Sequence, residues 1–271
     1  MTIDEFYTRL MSLTGNRDRR VEERIDGALE LLQHAKPEDE VTAARFESIT
    51  YGVITSMLDK ENSGHAYDVE MLQALTLSAE SMIRGQLERS LKDFRKGIYP
   101  LIDGGRVPFA TLVEAVGRIV EALRSTVFNH DRYGILDAFI RHAAKVADAG
   151  EEYDREAIAD MARELYRLDN LLSIHGADDE AILKFISEEE LLEIREHPQE
   201  GELKKDRVEY SRRWEDVYYD VEDELDEMFA ETPRRMGFCF EYWQAKAELL
   251  ARKYRILWRN PHEMNPNVIF D

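Results

Sequence analysis

The stretch from Pro108 to Phe128 constrains this chain more than any other. Phe109, Leu112, Val113, Val116, Ile119, Val120, Leu123 and Val127 fall at i, i+3, i+4, i+7, i+10, i+11, i+14 and i+18. That spacing lines the residues along one stripe of an α-helix and matches no pleated strand. Pro108 sits where a first helical residue tolerates proline. The same period recurs along most of the chain, and runs alternating at period two are hard to find. The expected fold class is therefore all-α, an irregular antiparallel helical array or bundle of about nine to eleven helices. No fixed repeat period accompanies the helices, so a regular solenoid is not expected.

Local signals mark the ends of several helices. Thr2 with Glu5 and Ser187 with Glu190 read as capping boxes, and Asp68 suits an N-cap. The sets Ile25, Ala28, Leu29, Leu32 and Phe46, Ile49, Val53, Met57 mark the inner faces of two early helices. A long stripe follows from Leu72 through Met82, Ile83, Leu87 and Leu91 to Ile98, with a bend expected at Gly85. The Pro108 helix should have a partner over about 133–146, with Asn129-His130-Asp131 as the turn between them. Gly176 should close the helix striped by Ile158, Met161, Leu165, Leu168 and Leu172. Trp214 to Phe229 reads as one long helix, and Trp243, Ala247, Leu250, Tyr254 and Leu257 as the seam of the next. Residues 1–271 are expected to form a single all-helical domain, with sub-boundaries at 100–108 and 197–206.

Charge narrows the function classes. The 56 acidic and 36 basic side chains leave −20, which opposes nucleic acid and anionic lipid as partners. The excess is local: residues 151–231 hold 28 acidic and 10 basic side chains, against 24 and 19 in 1–150 and 4 and 7 in 232–271. Within 151–231 the densest run is Glu215, Asp216, Asp220, Glu222, Asp223, Glu224, Asp226 and Glu227. Like charges four apart (Asp216/Asp220, Asp220/Glu224, Glu222/Asp226, Asp223/Glu227) each oppose a helix by about 0.2–0.5 kcal/mol. No basic residue lies between Trp214 and Pro233. A cationic neighbour is therefore expected, supplied by a hairpin that brings Lys246, Arg252 and Lys253 alongside. A single cysteine, Cys239, excludes a disulfide scaffold and a Cys-based zinc cluster, and points to a cytoplasmic setting. The N-terminal residues lack a signal peptide's basic and apolar regions, and no apolar run is long enough to span a membrane.

No phosphate-binding glycine loop, nucleophile elbow or His-Glu-x-x-His helix is present. The aspartates at 216, 220, 223 and 226 resemble the magnesium-binding helices of prenyl-transfer enzymes, but those need a second motif on a facing helix and none is found. His130-Asp131 resembles the dipeptide of the all-helical HD phosphohydrolases. That resemblance implies a metal held with an earlier histidine, His34 or His65, and a later aspartate, Asp137. Arg124 and His130 also match the arginine-histidine spacing of HEPN ribonucleases, at the frequency composition alone predicts. Cys239, between two phenylalanines, reads as an inert structural thiol. The final Val268-Ile269-Phe270 should dock on the chain's own helices.

Two readings follow. The first is a non-enzymatic interaction or regulatory protein presenting the acidic face of 206–231, through Asp216, Asp220, Asp223, Glu224 and Glu227, to a basic partner or a second copy of itself. It requires no cofactor or metal. The alternative is a metal-dependent all-α hydrolase using His130, Asp131 and convergent carboxylates.

Overall fold

In the computed structural model, residues 1–81, 87–150, 153–198 and 203–270 are described, with the side chains of 87–93 excepted. The expected bend at Gly85, and the parts played by Met82, Ile83, Leu87 and Leu91, lie outside them. Among the described residues the chain is 71% helical, with fourteen α-helices, eleven of them of seven residues or more, and no strand. None of these helices is long and apolar enough to cross a membrane. The chain divides into two compact units: residues 1–123 with 135–161, and residues 124–134 with 162–271. Residues 100–108 fall within the first unit, and 197–198 and 203–206 within the second.

The first unit is built on α1 (Ile3–Thr14), α2 (Val21–His34), α3 (Glu40–Glu61), α4 (Asp68–Glu80), α5 (Leu87–Asp103) and α6 (Phe109–Arg124). It also takes Ile135 onward from α7 (Asn129–Asp148) and the first turns of α8 (Arg155–Leu172). Helix α1 opens on the expected capping box: the Thr2 hydroxyl accepts the Glu5 N–H at 3.2 Å, and the Glu5 carboxylate accepts the Thr2 N–H at 3.0 Å. Its apolar face packs on α3, where Phe6 stacks on Phe46 with ring centroids 4.3 Å apart. The buried face of α3 runs through Phe46, Thr50, Ile54, Met57 and Leu58, with Ile49 and Val53 half-buried at its edge. Arg24 is buried where α1, α2 and α3 meet, donating Nε to the Thr14 carbonyl at 2.7 Å and a terminal N–H to Glu61 at 3.0 Å.

Tyr67, not Asp68, occupies the N-cap of α4. Asp68 is the first helical residue, buried, and accepts hydrogen bonds from Arg106 at 2.6 Å and Asn62 at 2.7 Å. A carboxylate recruited by two donors outside its helix is not free to turn back on that helix. The stripe of α6 is buried as its spacing predicts, from Leu112 to Leu123, and Phe109 stacks with Phe139 of α7 at 6.1 Å.

The second unit contains residues 124–134, the remainder of α8, and α9 (Asp179–Ile182), α10 (Glu188–Glu196), α11 (Arg212–Glu215), α12 (Tyr218–Met228), α13 (Phe238–Leu249) and α14 (Pro261–Met264). Ser187 and Glu190 form the second expected capping box. Beyond α8 the backbone turns through positive φ at Ser173 and His175, not at Gly176. Asp169 secures that turn by accepting the N–H groups of Gly176 and Ala177.

Two further expectations are corrected. The stretch from Trp214 to Phe229 is two helices, because the chain breaks at Asp216 and Val217. Helix α13 passes into a π-helical turn, Leu250–Tyr254, and stops at Arg255 in the left-handed conformation. The wider turn holds an extra residue, so later side chains rotate off the α-helical seam. Leu257 is consequently 84% exposed, and Ile256 and Trp258 join Trp214, Val221, Leu225, Leu249 and Leu250 in the core of this unit. Of the terminal apolar triplet only Phe270 docks, its ring 5.1 Å from that of Trp243, whereas Ile269 is 93% exposed.

Candidate functional site

The acidic helix α12 packs on α13, as the charge pattern requires. The contacts run in opposite order along the two segments: Phe229 meets Phe238 and Tyr242, Glu222 meets Tyr242 and Lys246, and Trp214 meets Trp258. At the centre is Lys246, 7% exposed, with Nζ 2.5 Å from Glu222 Oε1. The Tyr242 hydroxyl donates to the other Glu222 oxygen at 2.9 Å. The ammonium also lies 4.6 Å from the ring centroid of Tyr218, 5.1 Å from Trp214 and 5.3 Å from Trp258. A cation removed from water is stabilised here by an anion on one side and aromatic quadrupoles around it. Lys253, on the π turn, pairs with Glu224. Arg252 is exposed and takes no part in this pairing.

Of the five carboxylates singled out from the sequence, Asp216, Asp220, Asp223 and Glu227 are exposed and Glu224 is half-buried against Lys253. Asp216 caps the C-terminus of α11, so its expected repulsion with Asp220 is not a within-helix pair. The pairs Asp220/Glu224, Glu222/Asp226 and Asp223/Glu227 do share α12.

His130 and Asp131 lie in the first turn of α7, not in an inter-helix turn. Glu215 Oε1 accepts the His130 backbone N–H at 3.0 Å and lies 2.9 Å from His130 Nδ1. Glu215 is 3% exposed, and its second oxygen lies 3.6 Å from Arg212. The same Arg212 nitrogen lies 3.7 Å from buried Asp131. Next to this group, buried Glu164 is approached by Arg167 at 3.1 Å, Arg132 at 3.3 Å and Arg124 at 3.9 Å. Opposite charges alternate through the cluster, which ties the start of α7 to α8 and α11.

The other residues implied by the HD resemblance have partners of their own. His34 Nδ1 lies 2.8 Å from the Glu30 carbonyl, His65 lies 3.5 Å from Asp68, and Asp137 pairs with Arg141 at 3.0 Å. Among the described residues no group of three or more His, Cys, Asp or Glu side chains is placed to hold a metal ion. Cys239 is half-buried and unbridged.

A third ionic tie fixes the segment after α13. Asp206 accepts the Arg259 backbone N–H at 2.8 Å and its Nε at 3.2 Å, and Trp258 Nε1 donates to Glu209 at 2.9 Å. Burial pushes the Asp206 carboxyl up, but the Arg259 and Val208 donors outweigh it and hold the group below its ordinary value.

The contact of Glu215 with His130 and the arginines around Glu164 carry no local signal in the sequence. His130 and Glu215 are 85 residues apart. The one legible hint was the imbalance of charge in 214–233, which requires a cation from elsewhere. Comparison with protein-family models, with curated proteins and with solved structures finds no match for this chain.

Proposed function

We propose that this chain is a non-enzymatic interaction protein whose outer carboxylates on and beside α12 dock a basic protein partner. The observation that supports the reading is a division of labour along one acidic segment. Its inward members, Glu222 and Glu224, are neutralised by Lys246 and Lys253. Asp216, Asp220 and Glu227 are exposed and make no ion pair among the described residues. Uncompensated like charge on a helix costs stability, so its retention on the outer face suits attraction of a complementary surface.

Charge reversal at three exposed positions, Asp216→Lys, Asp220→Lys and Glu227→Lys together, tests it. The unmodified chain should retain an immobilised lysine-rich peptide at about 50 mM salt and release it as salt screens the contact. The triple variant, with an unchanged thermal melt, should not retain the peptide. Equal retention by both proteins would refute the proposal. Light scattering on both proteins separates docking of a foreign partner from pairing of two copies, the form in which the same face would meet a basic surface of this chain.

A further inference from the structure

The first unit contains a feature of opposite sign. Between the start of α2 and the end of α3 is an open cleft of about 420 Å³ lined by Arg17, Arg19, Arg20, Arg24 and Lys60, with Tyr67 on its wall. Val21, Glu22 and Glu61 complete the lining, so five cations face two carboxylates in a protein whose net charge is −20. Glu61 is already engaged with Arg24, and Arg20 Nε lies 3.0 Å from Glu23. Arg17, Arg19 and Lys60 are exposed and make no ion pair among the described residues. The N-cap of α2 is Arg20, which supplies no side-chain hydrogen bond to the helix. The first N–H groups of a helix have no intrahelical acceptor, so those of Val21 and Glu22 are open to an anion at the cleft.

We infer that this cleft binds a small phosphate-bearing polyanion, a di- or triphosphate, on Arg17, Arg19, Arg20 and Lys60. The cleft falls within the range of small-molecule sites, about 300–1,000 Å³, and is too small for a folded partner. Several guanidinium forks together with a lysine suit the many oxygens of a phosphate chain, whereas one fork satisfies a carboxylate. Arg24, one of the lining residues, is pinned by the Thr14 carbonyl and Glu61, so its part of the cleft is fixed before any ligand arrives. Tyr67 adds an aromatic wall beside the phosphates. The site is distinct from the acidic face and stands whether or not that face docks a partner.

Calorimetric titration of the full chain with pyrophosphate, tripolyphosphate and adenosine triphosphate tests this. Saturable one-to-one binding is expected, at least tenfold weaker in the double variant Arg17→Ala/Arg19→Ala and separately weakened in Lys60→Ala. Both variants change exposed side chains, and an unchanged melting curve verifies their fold. Tighter binding of the nucleotide than of tripolyphosphate identifies the source as a nucleotide resting on Tyr67; equal binding identifies the phosphate chain alone. Either ranking upholds the assignment. No saturation by any of the three, equal affinity for citrate, or unchanged affinity in the double variant overturns it. Binding of a 214–231 peptide in preference to the phosphates would also overturn it, in favour of a second copy of this chain.

Discussion

One oxygen of Glu215 serves two groups of His130, the backbone N–H at 3.0 Å and the ring Nδ1 at 2.9 Å. A carboxylate oxygen only accepts, so Nδ1 carries the hydrogen in this arrangement. Glu215→Ala leaves both part-buried donors of His130 without this acceptor, and the expected loss is about 1–3 kcal/mol of unfolding free energy. Glu215→Gln keeps an acceptor and should lose less. Urea denaturation of the two variants checks the order; an alanine variant as stable as the parent would show that the contact contributes nothing.

Removing Lys246 should cost more than removing the whole pair. Lys246→Met strands Glu222, whose side chain is 14% exposed, and breaking such a buried pair costs about 3–5 kcal/mol. Lys246→Met combined with Glu222→Gln removes the stranded charge and should recover much of the loss. Stability measurements on the single and double variants give the coupling directly, and additive effects would contradict the pairing.

Acid should weaken both units through named carboxylates. Burial pushes Asp68 up, but Arg106 and Asn62 hold it below its ordinary value, as Arg259 does for Asp206. A group with a lowered pKa in the folded chain contributes stability that is fully present above its unfolded pKa, about 3.9 for aspartate. That contribution is lost as pH falls from there through the lower folded value. Asp68→Asn and Asp206→Asn should therefore flatten the fall in stability below about pH 4 and lower stability at pH 7. Chemical denaturation at stepped pH measures both effects; an unchanged acid limb would contradict the assignment.

The two ends of α12 should respond oppositely to loss of charge. Asp220 lies in the first turn, where the helix dipole favours an anion by about 0.3–1 kcal/mol, against about 0.2–0.5 kcal/mol of repulsion with Glu224. Asp220→Asn should be neutral or mildly destabilising. Glu227 lies near the C-terminus, where dipole and repulsion from Asp223 act in the same direction, so Glu227→Gln should stabilise by about 0.5–1.5 kcal/mol. Thermal melts of the pair decide it, and a destabilised Glu227→Gln would mean that this carboxylate has a partner.

Properties carried by neighbours in sequence are legible in the sequence alone. The α6 stripe, the capping boxes at Thr2 and Ser187 and the need of α12 for cations all rest on residues within a few positions of each other. What was not legible depends on contacts between distant residues. Asp68 has the chemistry of an N-cap, but Arg106, 38 residues on, claims its carboxylate. Leu257 has the spacing of a seam residue, but the π turn ahead of it shifts the register. His130-Asp131 has the letters of a metal dipeptide, and only the folded chain brings Glu215 and Arg212 to it. The basic cleft draws Lys60 and Tyr67 from 40 or more residues beyond Arg19 and Arg20.

The ring box of Trp214, Tyr218 and Trp258 has the composition of a receptor for alkylammonium ligands, and it already holds one on its own chain. A tethered ligand acts at a high effective concentration, so a free methylammonium or choline must compete with a resident that does not diffuse away. An added lysine tail or quaternary amine should leave the intrinsic fluorescence of Trp214 and Trp258 undisturbed while Lys246 is present. The aromatic residues that look most like a binding site are in this way closed to outside cations.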